Sequence, residues 1–374
     1  MRDLIDLSSG QVVEAMPDAA IRALAAVASK EQITSYAPIC GESALRAAVA
    51  GHYANRGRAN ADPDHITITA GARHALFCVT AVVAGGGEVL VPRPHWSHYP
   101  EVVRLAGAHP VFVPGAPANG LLVDPGLLEA ARTPRTRAVI VNSPVNPTGA
   151  VYDSQTMAAI SGWARQRRLH LIVDDIYWAY GEADAAGPQA NEYQVVVGGA
   201  AKVNALAGVR IGWVWADPAL TTTVRGVVEH TTGPVSTLAQ AAVTAVLEED
   251  GENDSAVPAR VRRVARQRAH AIQTMADVPL LRVLRPRGGI YLCLDASALA
   301  AARPEWGDDR LLCAVLAEQA GVRLRAGSTF GLPGHLRMCV AVPPEVLSEA
   351  ARRLAVFLRA VETKTDIKSD QGEP

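Results

Sequence analysis

Lys202 lies in the run Gly199-Ala-Ala-Lys202-Val-Asn204, just after the apolar stretch Gln194-Val-Val-Val197. A lysine among small residues at the carboxyl end of a buried strand sits where open α/β sheets bind ligands. An amine kept partly out of water there is pushed toward its neutral, nucleophilic form, which condenses with a carbonyl. Eight residues on, Gly208-Val-Arg210-Ile-Gly212 carries an arginine able to fork a phosphate, between glycines that permit close backbone approach. Upstream, Asp174 closes a strand and Tyr177 follows three residues later, so two polar groups can face one pocket. Asn142-Ser-Pro-Val-Asn146-Pro-Thr-Gly149 presents an amide on a rigid turn. Thr69-Ala-Gly71-Ala72-Arg73 is a strand-to-helix junction whose free amides make a cradle for an anion. A lone lysine after a strand is usually a solvated surface residue; the set of motifs, and not any one of them, points to a shared site.

Taken in chain order, Gly71-Ala72-Arg73, Trp96, Asn146-Pro-Thr-Gly, Asp174 with Tyr177, Lys202, Arg210 and Arg337 resemble the class I/II aminotransferases, fold type I of the pyridoxal-phosphate enzymes. The likeness covers about residues 7–361. It looks closest to the bacterial aspartate aminotransferase branch, in Trp96-Ser-His-Tyr-Pro-Glu-Val-Val-Arg104 and Asn142-Ser-Pro-Val-Asn-Pro-Thr-Gly-Ala-Val-Tyr152. The resemblance implies pyridoxal 5′-phosphate as cofactor. It also implies amino-group transfer from an L-amino acid to a 2-oxo acid, through a Lys202 aldimine and a pyridoxamine phosphate intermediate. Lys202 would hold the cofactor and then shuttle the proton from the substrate Cα, while Asp174 would pair with the pyridine nitrogen. Tyr177 and Asn146 would hydrogen-bond the phenolic oxygen, and Trp96 would stack on the ring. Arg210 with Gly71, Ala72 and Arg73 would hold the phosphate. Tyr36 resembles a tyrosine that reaches the phosphate of a neighbouring subunit, which implies a homodimer. Arg337, beside Asn146, would fork the α-carboxylate. Arg73 stands where similar enzymes carry a lysine for the distal carboxylate of an acidic substrate; it serves either that carboxylate or the phosphate. No metal is expected.

The chain departs from the family pattern on the substrate side. After Gly10 it reads Gln-Val-Val-Glu-Ala-Met-Pro17 in place of the usual substrate loop, and Arg325-Ala-Gly-Ser328 stands where a Pro-Gly pair is common. The serine that often precedes the lysine is absent. These departures leave open a second reading, elimination, replacement or cyclisation on the same scaffold, because fold and cofactor motifs do not separate those reactions. A third, a non-catalytic cofactor-binding regulator, would need a DNA-binding domain ahead of the match.

The elements that must position these residues follow from periodicity. Seven short runs are apolar on both faces: Ile66–Thr69, Glu88–Val91, Pro110–Val113, Ala138–Val141, Leu169–Val173, Gln194–Val197 and Gly212–Trp215. That pattern predicts buried, mostly parallel strands. Helices are predicted between them at Ala72–Ala84, Tyr99–Ala106 and Ser154–Arg167, the last capped by Asp153 or Ser154. The fold expected is α/β: a large domain with a mostly parallel seven-stranded sheet between helices over 37–250, and a smaller α+β domain from 1–36 and 251–361. In the second part a long Arg-rich helix is predicted over Pro258–Met275, with Arg260 to Arg268, Arg287 and Arg303 as solvated charge. Residues 362–374 are polar without an apolar period and are expected to be disordered. With 374 residues, 36 basic and 37 acidic, the chain shows no charge block suited to nucleic acid or a membrane surface. No apolar run spans a bilayer, the Met1-Arg-Asp-Leu-Ile-Asp6 start is unlike a secretory leader, and the five scattered cysteines suit a reducing compartment. A cytoplasmic enzyme is expected, with small-molecule amino acid and 2-oxo acid as its partners.

Overall fold

The structure is a computed structural model that describes residues 3–28, 34–57, 61–181, 189–249 and 256–370, with side chains described to residue 362. The seven apolar runs pair into one sheet in the order Ile66–Thr69, Gly212–Trp215, Gln194–Gly199, His170–Asp174, Thr136–Asn142, Glu88–Arg93, His109–Pro114. Only Gly212–Trp215 runs against its neighbours. Every residue of the strands Ile66–Thr69, His170–Asp174 after its first, Gln194–Gly199 and Gly212–Trp215 is buried, because helices cover both faces. Ala72–Ala84, Tyr99–Leu105 and Pro218–Thr231 pack on one side. Ser154–Gln166 and Pro125–Ala131 pack on the other, beside Ser43–Asn55 and Thr237–Glu249. Asp153 caps the helix it precedes by accepting from the Thr156 amide at 2.7 Å.

A second, antiparallel sheet follows the order Arg325–Ala326, His335–Cys339, Tyr291–Asp295, Arg282–Leu284. Its core is separate from that of the large sheet and joins Leu7 to Leu292, Val322, Leu336 and Leu354. Ile5–Asp6 pairs in parallel with Val322–Arg323, so the start of the chain belongs to this part. Asp18–Ala28 does not. Ala20 and Leu24 pack with Leu45, Trp213 and Ala242, and Arg22 pairs with Glu249 at 2.9 Å. The expected grouping of residues 1–36 with the small domain is therefore split: the apolar face of this helix finds its partner in Thr237–Glu249. A third apolar cluster, Val12, Tyr177, Val203, Val264, Ile290 and Tyr291, fills the seam between the two parts.

Two further differences from the sequence reading have simple causes. The last helix runs Pro344–Asp370, past Val361, because residues 362–370 contain neither glycine nor proline to stop a helix already anchored by Leu347, Leu354 and Leu358. Residues 371–374 of the expected tail lie outside the described residues. Arg260 is not solvated: it is 3 % exposed, pairs with Glu14 and donates to the Val203 carbonyl at 2.7 Å. A charge run read along one helix cannot reveal that an acid 246 positions away in the chain covers it.

Gly212 lies so close to the Ala72–Ala84 helix that an added Cβ would stand 2.4 Å from the Ala72 nitrogen. Gly226, inside a helix, has nothing within 4 Å of such a Cβ. Gly212→Ala is expected to destabilise the chain by about 2 kcal/mol, as forced overpacking does. Gly226→Ala is expected to stabilise it by about 0.5 kcal/mol. Denaturant unfolding of the two variants checks the contrast.

Candidate active site

Three strand ends and one hairpin bring the reactive groups to the carboxyl edge of the large sheet. Asn142 and Asp174 are register partners at the ends of adjacent strands. Lys202 and Arg210 lie on the loop that joins Gln194–Gly199 to Gly212–Trp215, tied by Ala200 N to Ile211 O at 3.1 Å. Thr69 leads into Gly71, whose φ of +88° turns the chain into the Ala72–Ala84 helix. Above this edge the small sheet presents Tyr291 and Arg337. A cavity of about 570 Å³ is lined by Ala72, Arg73, Trp96, Asp174, Tyr177, Lys202, Arg210, Tyr291 and Arg337.

Asp174 is 4 % exposed. One carboxylate oxygen accepts from the Tyr99 hydroxyl at 2.5 Å and the other from the Ile176 amide at 3.2 Å, while Asn142 donates to its backbone carbonyl at 2.9 Å. Burial pushes its pKa up to about 6, against the pull of these two donors. Burial acts the other way on Lys202, bringing its amine down to about 8, and the Arg337 and Arg210 charges add to the effect. The Lys202 ammonium donates to the Gly10 carbonyl. Tyr177 shares a hydrogen bond with the Tyr291 hydroxyl at 2.9 Å, and burial holds its phenol well above the ordinary value.

Arg337 is 6 % exposed and lies in the interior of the small sheet. Its guanidinium is held over the rings of Tyr291 and Phe330, at 4.2 and 4.6 Å from their centroids. It donates to Asn146 Oδ1 at 3.0 Å and to the Ser8 carbonyl at 2.6 Å, while its Nε is buried without a partner. A guanidinium in the cavity wall with a donor still unsatisfied suits a carboxylate. At the other end, a Cβ on Gly71 would meet the Arg210 guanidinium at 2.6 Å, so Arg210 rests against the turn that opens the helix. Arg210 itself has φ +63°, a left-handed conformation that costs a non-glycine residue about 1 kcal/mol. The helix amides of Ala72 and Arg73 and this guanidinium together form an anion cradle. The residues present therefore fit pyridoxal phosphate: a cradle for its phosphate, a buried carboxylate for its ring nitrogen and a neutralisable amine for its aldehyde.

Of the residues singled out from the sequence, Gly71 shapes the cradle without lining the cavity, and Asn146 stands behind Arg337. Tyr36 is 96 % exposed and does not line the cavity of its own chain. Sequence reasoning missed Tyr99 and Tyr291, the hydroxyl partners of Asp174 and Tyr177. Tyr99 had a signal, its place three residues after Trp96 in one turn. A further signal went unused: the chain has four lysines, Lys30, Lys202, Lys364 and Lys368, and only Lys202 falls between residues 31 and 363.

A buried lysine and carboxylate at the edge of a mostly parallel sheet, roofed by an arginine from a smaller α+β part, define a fold type I pyridoxal-phosphate transferase. The family model for aminotransferase class I and II matches residues 2–354. A probable aspartate/prephenate aminotransferase of Thermus aquaticus is 34 % identical over 365 residues, 96 % of this chain and 92 % of that one. The aspartate aminotransferase of Geobacillus stearothermophilus is 31 % identical over 96 % of this chain and 92 % of its own. The structure of Thermus thermophilus aspartate aminotransferase with maleate superposes with a TM-score of 0.86 at 31 % identity, covering 95 % of this chain and 91 % of that one. The chain belongs to the class I and II aminotransferase family. It is an aminotransferase, and elimination or cyclisation is not favoured. No helix among the described residues is long and apolar enough to cross a membrane.

Two measurements follow from the shifted groups. With its amine lowered to about 8, Lys202 should react with an amine-directed acylating reagent half-maximally near that pH, more than two units below an ordinary lysine; peptide mapping against pH reads this directly. For Asp174 the folded pKa lies above the ordinary 3.8, so burying the ionised form is unfavourable above about 6 and the penalty disappears as pH falls below 3.8. Asp174→Asn should stabilise the cofactor-free chain by about 2 kcal/mol at pH 7.5, a gain that shrinks toward pH 4. Denaturant curves at several pH values check it.

Proposed function

We propose that this enzyme moves the amino group of an acidic L-amino acid, aspartate being the first candidate, to a 2-oxo acid, with pyridoxal 5′-phosphate bound in the cavity. The observation that carries the acidic side chain is Arg73. Its guanidinium lies over the Trp96 ring, 5.3 Å from the centroid, and among the described residues it makes no hydrogen bond or ion pair. The cradle amides belong to its backbone, which leaves its side chain for a substrate anion. The relatives named aspartate/prephenate and aspartate aminotransferase support the same reading.

When bound, pyridoxal phosphate supplies an aldehyde carbon for amines and a ring that takes up electrons from the substrate Cα. The chain's residues do the rest. Arg210 and the Ala72 and Arg73 amides hold the phosphate, and Trp96 covers one ring face. Asp174 holds a proton at the pyridine nitrogen: its carboxylate is buried, and a cation beside it restores the ionised state that burial opposes. Tyr177 places its hydroxyl toward the phenolic oxygen, and Asn146 holds Arg337 through Oδ1. Arg337 forks the α-carboxylate and orients the Cα hydrogen toward Lys202. Lys202, its amine lowered to about 8 by burial, takes that proton from Cα in its neutral form and would return it at the cofactor's aldehyde carbon, across the nitrogen. Arg56 pairs with Asp175 at 2.6 Å and removes a like charge from beside Asp174.

Three further points belong to the proposal. Tyr36, too exposed to serve its own cavity, supports a homodimer in which it reaches the partner's phosphate cradle. The separate small-sheet core supports two domains, with residues 18–28 assigned to the large one. Five unpaired cysteines, three of them buried, support a reducing, cytoplasmic setting.

The decisive test is an absorbance titration of the purified holoenzyme with single amino acids and no oxo acid. Aspartate or glutamate should convert the cofactor band completely to the amine form, at concentrations well below those needed for alanine or leucine. Lys202→Ala should slow this conversion by roughly 10³-fold or more. Release of ammonia without conversion would contradict the proposal.

A further inference from the structure

Arg325 stands in the strand Arg325–Ala326, directly opposite Arg337 in the antiparallel ladder. Residues opposed in this way project from the same face of a sheet, and like charges so placed repel. Both line the single cavity described above. Arg325 makes no hydrogen bond or ion pair among the described residues, and the only acid lining the cavity, Asp174, is engaged by Tyr99 and Ile176. No acid in the cavity wall is left to neutralise Arg325, whose exposed charge is open to an anion brought in from outside.

The cations of the cavity can be assigned one by one. Arg210 belongs to the phosphate cradle, Arg337 to the α-carboxylate, and Lys202 to the reacting carbon. Arg73 and Arg325 remain. They come from different parts of the molecule: Arg73 from the first turn of the helix on the large sheet, Arg325 from the small sheet. Both nevertheless line the same cavity, as does His98, whose pKa is lowered by burial and further by the Arg73 and Arg325 charges.

We propose that Arg325 is a specificity-determining residue, which with Arg73 forms a second anion subsite for the acid group at the far end of the substrate side chain. This rests on the acidic-substrate reading above and extends it to a residue from the opposite wall. An acid held by both arginines ties the small sheet to the helix of the large one, so an acidic side chain also steadies the closed cavity around the reacting atoms. A neutral side chain leaves both guanidinium groups without a partner and is disfavoured by the missing contacts.

The test compares wild type, Arg325→Gln and Arg325→Lys as holoenzymes. The readouts are kcat/KM for aspartate and for alanine, and the affinity for maleate against that for butyrate by calorimetry. Arg325 is exposed, so the variants should melt with the wild type. Arg325→Gln should lower kcat/KM for aspartate and the affinity for maleate by roughly 10- to 100-fold, as loss of a charged hydrogen-bond partner does. Alanine and butyrate should change by less than about twofold, and Arg325→Lys, which keeps the charge, should restore most of the loss. Equal losses for aspartate and alanine would make Arg325 a second arm for the α-carboxylate and overturn the inference, and no loss for either would make it a solvated charge. If wild type prefers aspartate and the preference survives Arg325→Gln, this inference alone falls. If wild type shows no preference for aspartate, the acidic-substrate reading falls with it.

Discussion

Burial of a carboxylate and an amine at one edge of one sheet is the constraint on which the site depends. Asp174 and Lys202 are both moved toward their neutral forms by loss of water, the acid upward to about 6 and the base downward to about 8. Each shift is unfavourable for the folded chain and useful for the chemistry. A carboxylate short of hydration is a strong partner for a cationic ring nitrogen, and an amine short of hydration is a nucleophile near neutral pH. The sheet makes this possible because its strands end in polar residues after runs buried on both faces. Helices must then cover those faces, and their N-termini bring amides to the same edge.

The small α+β part completes what the sheet edge begins. Its core is its own, but Tyr291, Ile290 and Cys339 pack with Val12, Tyr177 and Val203 across the seam. The N-terminal segment is threaded through this seam. Ser8 accepts from Arg337 at 2.6 Å, Gly10 accepts from Lys202, and Glu14 pairs with Arg260 and Arg263 of the long helix. Gly10 is required there: a Cβ would fall 1.9 Å from the Tyr291 hydroxyl oxygen. Arg260 in turn donates to Val203, the neighbour of Lys202. One acid in a loop thus fixes the small part, the loop and the lysine segment relative to one another.

Positive charge dominates the cavity wall, and its distribution carries the substrate argument. Arg210 rests against Gly71 at the helix start, Arg337 is gripped between two rings, and Arg73 lies over Trp96. Aromatic faces hold arginines in place without neutralising them, so their full charge remains for a ligand. The buried, unpartnered Nε of Arg337 fits this view: it is a donor kept dry.

The fold class, all seven strands of the large sheet to within a few residues, and many of the residues that line the candidate cavity were legible in the sequence. Local patterns encode them: two-faced apolar runs, a capped helix, a strand-to-helix junction, and ordered polar residues at strand ends. What the sequence could not disclose depends on contacts between distant segments. The hydroxyl partners Tyr99 and Tyr291, the burial of Arg260 by Glu14, and the packing of Asp18–Ala28 on the large sheet all arise from pairs separated by many positions. The same holds for Arg325, which by sequence is only an unusual residue in a short strand. Its meaning comes from standing opposite Arg337, because the register of a ladder decides which side chains share a face. Sequence determined the elements and the chemistry they carry; tertiary structure decided which groups lose their water and which charges remain unpaired, since both are properties of neighbours in space.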